Sequence, residues 1–131
     1  MAIRFVELHA AADPEQLNTE WLVVENNGQM PFNTRGCGIT VSRKGQKKRS
    51  ELGVMDPGFL LKPGEKMRLV TGNPATKAHG EAPPEDSVKN YFLFLPGLVL
   101  RGPGTILTLT LRGLPVCKVE FDPEKPAGVA S

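Results

Sequence analysis

The sequence predicts an all-β chain folded as a two-sheet antiparallel β-sandwich, and three observations carry that expectation. Apolar and polar residues alternate along short runs, most clearly in Thr105 to Leu111, where Leu107, Leu109 and Leu111 share one face and Ile106, Thr108 and Thr110 the other. Turn residues separate the runs, with 14 Gly and 12 Pro among 131 residues. The strands alternate and are not continuously apolar, which argues against the buried parallel sheet of an α/β protein. One domain is expected at this length, with a core that needs neither disulfides nor metal. It should span residues 1–121, followed by a flexible Pro/Gly/Ala tail at 122–131.

Ile3 to Leu8 is rich in β-formers and reads as the first strand. Asp13-Pro14-Glu15-Gln16 offers an N-cap, a proline at N1 and a glutamine at N3, enough for one helical turn. Glu20 to Asn26 is a strand with Leu22 and Val24 on one face and Trp21, Val23 and Glu25 on the other, closed by Asn27-Gly28. Gly38 to Ser42 alternates again, sending Cys37, Ile39 and Val41 one way. Next comes a basic hairpin tip, Arg43, Lys44, Lys47, Lys48 and Arg49 around Gly45-Gln46. A strand end at 52–55 and a turn at Asp56-Pro57-Gly58 lead to Lys62-Pro63-Gly64-Glu65, which suits a type II turn. Lys66 to Thr71 is a strand, Gly72 to Asp86 a long aperiodic loop, and Val88 to Leu95 a buried strand. The closing hairpin turns at Arg112-Gly113, and Leu114 to Phe121 sends Cys117, Val119 and Phe121 inward. Leu22, Val24, Ile39, Val41, Leu69, Leu107, Leu109, Val119 and Phe121 should form one core.

With 16 Lys+Arg against 14 Asp+Glu, the net charge of +2 is too balanced for an overall nucleic-acid binder, so only a local patch could serve. The N-terminal residues have no continuous apolar run of signal-peptide length, and Tyr91 to Leu100, broken by Pro96-Gly97, is too short for a transmembrane segment. The expected location is cytoplasmic, where Cys37 and Cys117 should be reduced, inward-facing thiols; a disulfide across the sandwich is the alternative.

Several segments resemble the lamin tail domain family: Glu20 to Gly28 its strand and turn, Gly36-Cys37-Gly38-Ile39 its Gly-Trp site, Leu61 to Leu69 its L-x-P-G turn and strand, and Thr105 to Phe121 its closing hairpin. The resemblance covers about Ile3 to Phe121. It implies an immunoglobulin-like sandwich used as a non-catalytic interaction module.

The residues themselves supply little chemistry. His9 and His79 fall in expected loops without partners at metal-ligand spacing, and Glu81, Glu85 and Asp86 lack the Asp-x-Asp spacing of a calcium loop. There is no phosphate-binding glycine loop and no nucleophile elbow. No catalytic residue, metal or cofactor is therefore assigned. The leading expectation is a protein partner bound through the outer sheet face at Trp21 and Val23, unless the turn near Asp13 or the long loop covers them. The alternative is polyanion binding, to nucleic acid or an anionic surface, through Arg43, Lys44, Lys47, Lys48 and Arg49; without aromatic neighbours it would be limited to phosphates. A small enzyme with its site in the 72–86 loop is the rival from another class.

Overall fold

A computed structural model describes residues 3–130 and contains two four-stranded sheets packed face to face. The first, in the order β1-β2-β7-β8, comprises β1 (Ile3–His9), β2 (Trp21–Asn26), β7 (Lys66–Val70) and β8 (Lys89–Phe92). The second, in the order β10-β9-β4-β5, comprises β10 (Leu114–Glu120), β9 (Thr105–Leu111), β4 (Cys37–Arg43) and β5 (Arg49–Val54), all antiparallel. A separate two-stranded ladder joins β3 (Phe32–Asn33) to β6 (Leu60–Leu61). The all-β sandwich is thus as expected. Eight of the nine expected core residues are buried, and Val41 is half-buried against them.

The expectation of wholly antiparallel strands needs one correction, because β7 and β8 run parallel. A parallel neighbour requires a crossover of a dozen or more residues, and the aperiodic 71–88 segment supplies it. This segment is tied down. Asn18, fully buried, donates to the Asn73 and Gly80 carbonyls, and His79 Nδ1 accepts the Asn73 N–H. Arg68 reaches from β7 to the Pro84 and Val88 carbonyls at 3.3 and 3.2 Å. It also meets Asp86 at 3.4 Å, and the Val88 N–H, followed by this guanidinium, holds the Asp86 carboxyl below its ordinary range.

The tail also departs from expectation. Leu8 donates its N–H to Ala127, Asp122 to Gly128 and Ala130 to Glu120, while Phe121 bridges Val129. Residues 122–130 are therefore hooked onto β1 and β10, as backbone groups beside an open strand edge must find partners. Gly128 makes the close approach possible. It sits at φ +73°, and a Cβ there would collide with the Leu8 carbonyl.

Two local expectations change as well. The helical turn falls at Leu17–Thr19, while Asp13 instead accepts the Glu15 N–H in a side-chain turn. The reversal after β2 is organised by buried Asn26, which donates to the Met30 and Leu61 carbonyls and accepts the Gly28 N–H. Among the described residues, no helix is long and apolar enough to cross a membrane.

Candidate binding groove beside the basic hairpin

The outer face of the first sheet is not the open surface the sequence suggested. Val23 is only 6% exposed. It lies in a cleft floored by the sheet and flanked by Val88, Pro126 and Ala127, so the ordered tail and crossover cover what alternation left outside. Trp21 is half-buried and stacks on His9 with ring centroids 3.8 Å apart and planes 2° from parallel. His9 ends β1, outside the loop expected for it, and its Nδ1 donates to the Thr19 carbonyl at 3.0 Å. Val23 is therefore too buried to serve as the expected contact residue, and Trp21 already has a partner inside the fold.

The basic hairpin divides its charges by strand geometry. Val41 lies opposite Leu107 and Ser50, placing these three on the inner side of the second sheet, whereas Ser42 and Arg49 pair on the outer side. Arg43, two residues beyond Val41 in β4, and Lys48, in the turn just before β5, lie beside Val41 and Ser50. Lys44 turns to Glu120 at 3.7 Å, and Lys47 stays exposed at the tip. The five cations thus do not form one cluster.

Arg43 and Lys48 line a groove of about 410 Å³ between the hairpin and the 95–101 segment. Its walls carry Val41 and Leu52 on one side and Leu95, Leu98 and Val99 on the other, and Arg101 adds a third cation. No carboxylate lines it, and none of its three cations takes part in an ion pair among the described residues. Two guanidiniums are held by backbone carbonyls. Arg43 donates to Arg101 and Pro103 at 3.3 and 3.1 Å, and Arg101 donates through Nε to Leu98 at 2.9 Å. Gly97 leaves room for this, since a Cβ there would lie 3.3 Å from an Arg101 terminal nitrogen.

A buried carboxyl fixes the far wall. Glu20, fully buried, accepts the Val99 and Leu100 N–H groups at 2.8 and 2.9 Å and the Thr71 hydroxyl at 2.6 Å. It thereby anchors the backbone immediately before Arg101. Sequence reasoning assigned neither Glu20 nor Arg101 to a site. Arg43 and Arg101 lie 58 residues apart, and nothing local marks either as a neighbour of the other. A charge just ahead of an apolar strand was the only signal for Glu20.

The two cysteines are unpaired. Cys37 is buried as expected, whereas Cys117 is partly exposed, which corrects its expected full burial. Desolvation raises both thiols, Cys117 to about 11. Among the described residues, no group of three or more His, Cys, Asp or Glu is placed to hold a metal ion. Within the 72–86 loop, Asn73, His79 and Asp86 serve the crossover contacts described above, and Glu85 accepts the Asn90 N–H. No family model matches the chain, and no match was found among curated proteins.

Proposed function

We propose that this domain is a non-catalytic binding module that engages a protein partner through the groove beside the β4–β5 hairpin. The observation that carries this is the convergence of Arg43, Lys48 and Arg101 on an apolar-walled groove that no carboxylate lines. Preorganised guanidiniums recognise carboxylates well, because their donors match both oxygens and little side-chain freedom is lost on binding. The segments similar to lamin tail domains, an interaction fold, agree with this reading. A reducing, cytoplasmic setting belongs to it as well, supported by the two free thiols.

Fluorescence titration with labelled polyglutamate and with duplex DNA, each at several salt concentrations, tests the proposal. Polyglutamate should bind the native chain with an affinity that falls as salt rises, and replacing Arg43 and Lys48 by glutamine should weaken it. Absence of binding at low salt refutes the assignment. DNA binding alone, with a logarithmic salt slope flattened by about 2 in the double variant, would give the same groove to phosphate recognition.

A further inference from the structure

Resting on that assignment of the groove, we infer that its occupant is an acidic polypeptide segment carrying an aliphatic side chain between its carboxylates. Two features of the groove select this chemistry together. Its rim supplies Arg43, Lys48 and Arg101, three exposed cations contributed by the end of β4, the turn just before β5 and the 95–101 segment. Charges from three separate elements are matched by several carboxylates along a chain better than by one. Its walls supply Leu52, Leu95 and Leu98, all half-buried, so apolar surface remains to be covered.

Other anions fit less well. A phosphate backbone satisfies the cations but leaves the leucines wet, and no aromatic side chain lines the groove for a base to stack upon. A long acyl chain needs an enclosed apolar tunnel, whereas here the walls are only half-buried and polar Gln46 and Ser50 line the groove with them. One leucine-sized group matches what the walls can cover. The volume of about 410 Å³ lies near the lower end of the ~300–1,000 Å³ found for ligand clefts.

The test compares three fluorescein-labelled probes on the intact chain: an octapeptide of Asp and Glu with a central leucine, the same peptide with a central serine, and duplex DNA. Burying a leucine side chain contributes about 1.5 kcal/mol or more, so the leucine peptide should bind roughly tenfold more tightly than the serine peptide. Arg101→Gln should weaken the leucine peptide about five- to tenfold, with Arg101→Lys recovering part of the loss. Leu98→Ser should abolish the preference for leucine over serine. Thermal midpoints of the variants check that each is folded, and Leu95→Ser gives a second wall substitution should Leu98→Ser prove unstable. Equal affinity for the two peptides overturns the aliphatic anchor while leaving an anion-binding groove in place. Binding of DNA with no binding of either peptide also overturns it. Failure of every probe overturns the groove assignment itself.

Discussion

Glu20 links the stability of the fold to the geometry of the groove. Its carboxyl accepts two backbone N–H groups, from Val99 and Leu100, in a site without solvent access. The Thr71 hydroxyl can rotate to another acceptor, but backbone donors cannot. Glu20→Ala leaves both orphaned, at about 1–3 kcal/mol each, or roughly 2–6 kcal/mol. That is a large part of the 5–15 kcal/mol that stabilises a typical domain. Glu20→Gln retains one acceptor oxygen but turns an NH₂ toward the other donor, so its cost should be about 1–3 kcal/mol. Urea denaturation of the two variants should show midpoints falling in that order with unchanged slope. Amide hydrogen exchange should accelerate at Val99 and Leu100 before it does in the strands of the two sheets. Because Arg101 follows directly, the glutamine variant should also bind acidic peptide more weakly under conditions where it is fully folded. An unchanged midpoint together with unchanged protection at Val99 and Leu100 would refute the assigned role.

Other expectations follow from the same packing. Leu109, fully buried at the centre of the second sheet, should cost about 2–5 kcal/mol when replaced by alanine, read as a lower urea midpoint. Gly128→Ala should destabilise the chain and speed proteolysis near Lys125, because a Cβ meets the Leu8 carbonyl and the backbone has positive φ; a mobile tail would make the substitution silent. Desolvation favours the protonated thiols in the folded state, so their contribution to stability is present below the ordinary thiol pKa of about 8.5 and is lost as pH rises through about 11 for Cys117. Native labelling by a thiol reagent should therefore be slow for both cysteines at pH 8 and quicken for Cys117 toward pH 11. Rapid native labelling of Cys37 at pH 8 would contradict its burial.

Fold class and most of the core were legible in the amino-acid pattern alone. Alternation in β9 and β4 needs only a two-residue period, a local property, so Leu107, Leu109 and Ile39 could be assigned inward without knowing the partner sheet. The same reasoning placed Arg43 to Arg49 at a hairpin. It could not separate Arg43 and Lys48 from Lys44 and Arg49, because that depends on where each strand ends and which face the opposing segment covers. Alternation put Trp21 and Val23 outside, yet Val88, Pro126 and Ala127 flank Val23 and His9 stacks on Trp21. The Pro/Gly/Ala composition of the tail gave no sign that its carbonyls would meet the Leu8 N–H. A long aperiodic loop likewise became a crossover only because β8 joins β7 in parallel. The groove depends on long-range contacts: Glu20 binds Val99 and Leu100 from about 80 residues away, and contacts at that separation leave no periodic trace in the chain.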